Sequence, residues 1–287
     1  MATTKEKKKT GYIVSIVGIL FIILGALWVT VIFPSLDKMP ADYARTYYFD
    51  GTFTVLDPET QAPMTFPVAQ ELVQEAIGTV NGAIKISEVR KVTNAVTGDV
   101  LAQYGDSSVL TVDRRSLEYV PALDERGRSG RWGPPRPLGI ETTFGLYNPG
   151  VRQPLTAAYS YSESFRGLNV YVFVIEEADL PLGKHPQTNA DMFYSTTITL
   201  WIEPSTGAVV NQTAETTTTM DMQGQRILVQ SSTINYADQT VDELMDVATS
   251  SRTMLMWFKT VIPWLLIGLG AVMVLIDVLI LGRRKTA

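Results

Sequence analysis

The residue types that most often carry catalysis or hold metals are scarce in this 287-residue chain. Cysteine is absent and His185, in a loop-like segment, is the single histidine, which excludes thiolate nucleophiles, disulfides and histidine-rich metal sites. No Gly-x-Ser-x-Gly, phosphate-binding loop, dinucleotide fingerprint or His-Glu-x-x-His motif occurs in the sequence. Adjacent carboxylates such as Asp242 and Glu243 point in different directions on a helix or strand, so they form no acid–base pair. We therefore expect a protein that is not an enzyme and that needs no cofactor or metal.

Residues suited to ligand recognition concentrate in residues 124–137 (DERGRSGRWGPPRP), which contain four arginines and a tryptophan. The glycines and prolines between them are typical of a surface loop. Guanidinium groups around an exposed indole could recognise anionic headgroups, glycan phosphates or the acidic surface of a partner. A solvated loop without a partner is the alternative. The candidate ligand-binding residues are Arg126, Arg128, Arg131, Trp132 and Arg136.

Asp277 is the one charged residue in the apolar run 261–281. A carboxylate at the middle of a bilayer costs about 2.5–3.5 kcal/mol on insertion scales, and less near an interface. An antiparallel helix near the N-terminus would present Ser15 or Tyr12 at the same depth, and Lys9 could reach the carboxylate. We expect a carboxylate that pairs the helices or extends to the membrane interface, with Ser15 as the intramembrane polar candidate, and a proton or ion relay is the alternative.

Two apolar runs, residues 12–33 and 261–281, are each long enough to cross a bilayer as a helix. Lysine and arginine are concentrated just outside both runs, which predicts that both termini lie in the cytoplasm and the middle of the chain outside the cell membrane. A cleaved signal peptide is the alternative for the first run, but its length favours an uncleaved signal anchor. The predicted organisation is a basic cytoplasmic tail (1–11), a transmembrane helix (12–33), an extracytoplasmic β-rich domain (34–239), a helical stalk (240–258), a second transmembrane helix (259–281) and a second basic tail (282–287).

Both predicted spans contain glycines. Small residues let membrane helices approach closely, so pairing of the two spans or oligomerisation is expected at these positions. Ordinary glycine usage in membrane helices is the alternative. The residues concerned are Gly18, Gly25, Gly268 and Gly270.

The charge of the middle region excludes one class of partner. The chain carries a formal charge of −5, and residues 1–33 and 259–287 together carry +6, which leaves −11 for residues 34–258. A nucleic-acid-binding domain needs a concentrated basic face, so we expect no nucleic acid among the partners.

Alternating apolar and polar residues with turn signals between them predict a mainly β domain, an antiparallel sheet that is extended, curved or partly closed. Gly207 is expected to form the tight turn of one hairpin. Residues 67–77 are one short helical candidate, with a strand as the alternative. Thr240 and Glu243 have the spacing of a capping box and predict the start of a helix. The predicted strands are residues 47–56, 82–93, 108–113, 157–165, 168–176, 196–202, 208–220 and 225–236.

Five segments of the chain resemble the PorA-type porin family of actinobacterial membrane proteins, and the resemblance covers nearly the whole sequence. It implies a two-span membrane protein and a porin or channel function, and it transfers no catalytic residues. The segments are residues 33–36 (FPSL), 51–58 (GTFTVLDP), 112–116 (VDRRS), 167–173 (GLNVYVF) and 194–210 (YSTTITLWIEPSTGAVV).

Three functions remain after these exclusions. The two anchors, the strand-rich outer domain and the missing catalytic residues favour binding or passage of a lipid, glycolipid or other envelope component. A structural subunit that docks a membrane-protein partner or a second copy of itself is the first alternative. The channel function implied by the family is the second.

Overall fold

The computed structural model describes residues 4–57 and 62–283. The predicted turn at residues 57–60 therefore lies almost entirely outside the described residues, as do the ends of both tails. The chain divides into two compact units, Met1–Lys38 with Ser250–Ala287, and Met39–Thr249. The predicted class, a mainly β domain with two long apolar helices, is confirmed.

The first unit is helical. Its elements are α1 (Thr4–Leu27), α2 (Phe33–Leu36), the last residues of α3 (Asp238–Met256) and α4 (Ile262–Arg283). The helical segments Ile13–Leu36 and Asp238–Leu279 contain stretches long and apolar enough to cross a membrane. With the family assignment given below, they indicate a membrane protein.

Each apolar helix contains one π-helical turn shortly before a proline. The turns are Trp28–Ile32 and Trp257–Val261, followed by Pro34 and Pro263. In a π turn each backbone carbonyl accepts a hydrogen bond from the N–H group five residues later. The residue five positions after Phe258 is Pro263, which has no N–H group to donate. The carbonyl of Phe258 therefore loses its donor within the helix. Proline inside an apolar helix predicts a kink or a restart, and next to Pro263 the irregularity is a π turn.

The second unit is built on one antiparallel sheet of ten strands. The order across the sheet is β4-β3-β2-β1-β10-β9-β8-β7-β6-β5, and the sheet is curled. The strands are β1 (Ala44–Leu56), β2 (Pro63–Val80), β3 (Ala83–Asn94), β4 (Asp106–Asp113), β5 (Phe144–Asn148), β6 (Gln153–Phe165), β7 (Leu168–Lys184), β8 (Asp191–Glu203), β9 (Ala208–Met222) and β10 (Gln225–Tyr236).

All eight predicted strands are confirmed, whereas β5 has no counterpart among them. The helical candidate 67–77 is wrong, since those residues lie within β2. Val68 and Leu72 are buried four residues apart, a spacing that fits both a helix and a strand. Pairing on both sides, with β1 and β3, decides in favour of the strand. Gly207 lies between β8 and β9 with a φ of 68°, as the tight turn requires.

The capping box is also wrong. Helix α3 begins at Asp238, so Thr240 lies within its first turn rather than before it. The sequence also predicts an apolar stripe of Val241, Leu244, Met245 and Ala248 on this helix; Met245 is half-buried and the other three are buried. Ala248 packs with Val170 and other apolar residues on one face of the sheet.

Residues directly opposite each other on paired strands share a face of the sheet, so the register divides every side chain between two faces. The face that carries Phe53, Ile84 and Phe173, hereafter the inner face, holds three of the four buried clusters of the described residues. The opposite, outer face holds the cluster with α3.

Candidate functional site

The predicted arginine-rich segment joins the two edges of the sheet. Residues 114–132, hereafter the seam, pair through Tyr119 with Val112 of β4 and through Arg131 with Leu146 of β5, while Glu118 and Arg131 pair with each other. The backbone bonds are short: Tyr119 N donates to Gly130 O at 2.9 Å and Arg131 N donates to Gly145 O at 2.8 Å. Because β4 and β5 are the first and last strands of the sheet, the seam bridges the two edges of the curled sheet.

Arg128 is buried inside the seam rather than exposed. Its guanidinium pairs with Asp124 at 2.9 Å, donates to Ser108 Oγ at 2.6 Å, and lies about 6 Å from the rings of Tyr119 and Tyr147. A buried guanidinium is stable only when its charge and its donors are satisfied. These contacts give Arg128 a role in holding the seam against β4.

Arg126 and Arg131 are also paired within the chain. Arg126 donates two hydrogen bonds of 2.7 Å to Asp106 at the start of β4, and these bonds hold the pKa of the Asp106 carboxyl below its ordinary value. Arg131 pairs with Glu118 at 2.8 Å. Both ion pairs are partly exposed, so each adds little stability; the first joins the seam to β4, and the second lies within the seam.

Trp132 and Arg136 complete the predicted patch. The expectation of an exposed tryptophan is wrong, since Trp132 is half-buried and meets the ring of Tyr43 edge-on at 5.6 Å. Arg136 packs its aliphatic stem against Gly207, where an added Cβ would lie 2.6 Å from Arg136 Cγ. The predicted residues are therefore spread along the seam and the residues after it and do not form one exposed cluster.

The centre of the inner face carries a row of small side chains that is interrupted by Ile234, whose Cδ1 lies 2.8 Å from the position of a Cβ on Gly51. Cross-strand pairing aligns Ser232 with Thr216 and Thr216 with Thr196, while Gly51 and Ala214 lie on either side of Ile234. This row, hereafter the trough, comprises Gly51, Thr196, Ala214, Thr216 and Ser232. Apart from the buried Thr196, its members are half-buried and lie between the cluster that includes Phe53 and the cluster that includes Leu200.

Hydroxyl groups in the trough are satisfied by one another and by the backbone. Thr216 Oγ1 and Ser232 Oγ are 2.7 Å apart, and Thr196 Oγ1 donates to Glu215 O at 3.1 Å. Bonded hydroxyls do not demand water, so the trough presents mainly methyl and methylene groups to whatever lies above it.

Polarity changes along the inner face of β1. Arg45 and Tyr47 come first, followed by Phe49, Gly51 of the trough and the buried Phe53. Tyr236 of β10 stacks on Tyr47 with ring centroids 5.9 Å apart, and it packs on Phe49 at 5.1 Å. Burial raises the pKa of Tyr236 above its ordinary value, so its phenol stays neutral and can act as a donor. The inner face therefore runs from a cationic and hydroxyl-rich end to an apolar one.

A buried amide and a half-buried carboxylate extend the polar end of the inner face. Gln74 of β2, opposite Arg45, accepts a hydrogen bond from Tyr43 OH at 3.0 Å and donates one to Glu88 at 2.7 Å. Burial and the neighbouring Tyr47 raise the pKa of Tyr43 above its ordinary value, with Arg45 acting in the opposite direction. The chain of bonds fixes these side chains in one arrangement.

Three of the four candidate glycines in the helical unit lie where α1 and α4 meet. A Cβ on Gly18 would lie 2.7 Å from Gly270 O, and one on Gly25 would lie 2.7 Å from Ile267 Cγ1. Gly268 is different, because nothing lies within 4 Å of the corresponding position. Gly268 therefore takes no part in the contact between α1 and α4.

Polar contacts mark both ends of this helix pair. Ser15 Oγ donates a hydrogen bond to the carboxyl group of Asp277, which is 4% exposed. At the other end, Trp28 Nε1 donates to Phe258 O at 2.7 Å and thereby satisfies the carbonyl that Pro263 leaves without a donor. The candidate Ser15 thus contacts Asp277 across the helix pair.

The trough and the seam that bridges the sheet edges were absent from the sequence expectations. Alternating threonines in residues 196–202 predict a strand, but they do not show that the strand's inner face stays half-open. A small-residue row becomes visible only when the register sets Thr196, Thr216 and Ser232 side by side.

A comparison with curated proteins found no match. Among solved structures, one described as an AttH from Nitrosomonas europaea is 11% identical, with a TM-score of 0.20. The similarity covers 67% of this chain and about half (51%) of the length of that protein. The 12:0-ACP thioesterase from Umbellularia californica is 11% identical with a TM-score of 0.16 over 72% of this chain and 76% of its own. Scores this low establish no shared fold. The family model described as Porin PorA matches residues 10–279, so the chain belongs to the Porin PorA family.

Proposed function

We propose that this protein is a non-enzymatic membrane protein whose sheet unit binds a hydrophobic envelope component, a lipid or glycolipid, along the trough of its inner face. The observation that carries the proposal is the half-buried row of small side chains between two buried clusters on a curled sheet. Elsewhere on this face large apolar residues fill the space between strands, as a packed core requires. Small side chains in the middle, half-buried beside Ile234, form a shallow surface against which an apolar chain could pack.

The chemistry of the trough supports an apolar ligand rather than a sugar. Its hydroxyls are already bonded, so they offer a saccharide few free partners. Phe49 and Tyr47 next to the trough are half-exposed rings that would gain from burial. A hydrocarbon chain would remove both rings from water without leaving a polar group unpaired.

The proposal includes the orientation expected from the sequence, with both termini in the cytoplasm and the sheet unit on the outer face of the cell membrane. Basic residues beside the apolar runs and the acidic charge of residues 34–258 support it. An acidic domain is repelled by anionic headgroups, so the sheet unit would not adhere to the bilayer surface.

Filling the trough tests the proposal. Ser232 and Ser231 are adjacent in β10 and lie on opposite faces of the sheet. In native mass spectrometry of detergent-purified full-length protein, Ser232→Trp should lose co-purified or added lipid, whereas Ser231→Trp should retain it. Ala214→Phe with Thr213→Phe as its control repeats the comparison on β9. Equal lipid occupancy in both members of both pairs would contradict the proposal.

The family description favours a channel as the second function. A porin barrel needs an outward-facing apolar band to contact lipid. On the central strands β8, β9 and β10 of this sheet, the outer face instead carries the polar residues Ser195, Thr197, Thr199, Thr213, Glu215, Thr217, Ser231 and Thr233. This composition supports a sheet that lies in water. A channel would therefore have to be formed by the apolar helices. Docking of a membrane-protein partner or of a second copy is a further alternative, and stoichiometric crosslinking in membranes would favour it.

A further inference from the structure

A pocket lies beside the first residues of β1, at the point where β10 stops. Pairing of β10 with β1 ends at Tyr236 opposite Phe49, and helix α3 follows in the place that a longer strand would take. The pocket has a volume of about 320 Å³ and is lined by Arg45 and Tyr47 on the strand side and by Leu244 on the helix side. A volume of this size suits a headgroup better than a whole lipid, since pockets for drug-sized ligands span roughly 300–1,000 Å³.

Arg45 has no anionic partner in this pocket. Its side chain is half-buried, and among residues 4–57 and 62–283 no carboxylate is within ion-pairing distance of it. Partly desolvating a guanidinium without pairing it costs free energy that an incoming anion would recover. Arg45 lies opposite Gln74 and two residues before Tyr47 on the inward side of β1, beside the aromatic residues of the inner face.

Three carboxylates surround this position. Glu243 and Asp246 line the helix side of the pocket, and both are exposed, so water and salt screen their repulsion of an anion. Glu88 lies across the inner face on β3 and accepts a hydrogen bond from Gln74. None of the three is paired with Arg45, which keeps its charge available to a ligand.

The inner face connects Arg45 directly to the trough. Arg45, Tyr47, Phe49 and Gly51 occupy successive inward positions of β1, a distance of roughly 20 Å at the strand rise per residue. A ligand laid along this line would meet a cation first, then aromatic rings and then the small apolar lining of the trough. That order matches a molecule with a charged head and a hydrocarbon chain.

We propose that the ligand is an amphiphile with an anionic headgroup, a carboxylate or a phosphate, that pairs with Arg45 while its hydrocarbon chain lies along the trough. This inference rests on the proposed function and adds to it the charge and position of the ligand's polar end. The pocket between β1 and α3 would hold the headgroup at the side of the sheet. Tyr47, whose hydroxyl lies 3.1 Å from that of Tyr43, supplies a phenol beside the headgroup.

Binding of four probes to the full-length protein in detergent tests the inference. Palmitate and hexadecanol form one pair, and phosphatidic acid and diacylglycerol of the same chain length form the other. Wild-type protein should bind at least one anionic member about tenfold more tightly than its uncharged counterpart, the scale of one charge-assisted hydrogen-bonded contact. Preference for palmitate would identify a free carboxylate, and preference for phosphatidic acid a phospholipid.

Two matched variants locate the effect. Arg45→Gln should abolish the preference for the anionic probe without changing the affinity for the uncharged one, and Arg45→Lys should keep most of it. Lys91→Gln removes the same charge from an exposed position on the outer face of β3 and should change nothing. Glu243→Gln should strengthen anion binding slightly, because it removes a like charge from the pocket.

The outcomes separate the inference from the proposed function. If neither member of either pair binds, or if binding is insensitive to Ser232→Trp, the proposed function fails. If both members bind in the trough with equal affinity, or if Arg45→Gln and Lys91→Gln have the same effect, the headgroup assignment alone is overturned.

Discussion

The hydroxyl group of Thr240 in α3 completes the hydrogen bonding of Tyr48 in β1 where β10 ends. It accepts from Tyr48 N at 2.7 Å and donates to Tyr48 O at 3.0 Å, and Ala237 N donates to the same carbonyl at 2.9 Å. One side chain thus replaces a strand partner on that edge of β1. The contact fixes the first turn of α3 beside the pocket that contains Arg45.

Thr240→Val should destabilise the sheet unit by about 1–3 kcal/mol, because it leaves the N–H group of Tyr48 without a partner. Water cannot replace the lost hydroxyl, since Thr240 is only 1% exposed. Thermal unfolding of the full-length protein in detergent, followed by circular dichroism, measures the change. Thr240→Ser keeps the hydroxyl and should restore most of the stability. Thr217→Val on the outer face of β9 is the control and should shift stability by less than about 0.5 kcal/mol. A Thr240→Val protein as stable as that control would contradict the role assigned to the hydroxyl.

The two aspartates that pair with seam arginines should differ in importance. Asp124→Asn leaves the guanidinium of Arg128 buried without its counter-charge, with an expected loss of about 3 kcal/mol or more. Asp106→Asn breaks a pair of similar length that is partly exposed, so it should cost less than about 1 kcal/mol. The same unfolding measurement ranks the two variants, and equal losses would show that burial of the Arg128 pair does not govern the stability of the seam.

Substitution of glycine in α4 should matter at one position and not at another two residues away. Gly270→Leu would drive a side chain into the backbone of α1, since its Cβ alone would lie 2.4 Å from Gly18 O, and it should separate the helices. Gly268→Leu meets nothing within 4 Å and should be tolerated. Fluorescence of the indole of Trp28, which stacks on Phe258 at 6.0 Å, should change in the first variant and stay unchanged in the second. Equal responses would place the helix contact elsewhere.

Electrical recording distinguishes the proposed function from the channel alternative. If the protein binds an envelope amphiphile, planar bilayers containing it should show no single-channel conductance. A channel that uses the helix pair would conduct, and Asp277→Asn should alter its conductance because Asp277 is the charged residue of the described part of α4 that lies within the apolar run. Conductance that depends on Asp277 would therefore replace the binding proposal with the porin reading.

The hydrophobic pattern of a segment was sufficient to predict its secondary structure where that structure depends only on neighbouring residues in the sequence. Alternation at residues 196–202 and 225–236 predicted β8 and β10, and apolar length predicted the two long helices, because both signals depend only on neighbours in sequence. Where two periods fit equally, as at Val68 and Leu72 in β2, the pattern could not choose. Pairing with β1 and β3 made the choice.

The sequence by itself determined the helices, most of the strands and the lack of cysteine-based or histidine-cluster chemistry, and the structure chose Ser15 among the possible partners of Asp277. Only the tertiary structure decided what the arginines do. The seam turns Arg128 inwards to Asp124, whereas the end of β10 leaves Arg45 half-buried and unpaired among the residues that the structure describes. The counter-charge of Arg128 lies only four residues away, but its burial depends on contacts with Ser108 and Val109 of β4. The two arginines therefore acquire different roles, because the strand edge that covers each side chain is set by pairing between residues far apart in the chain.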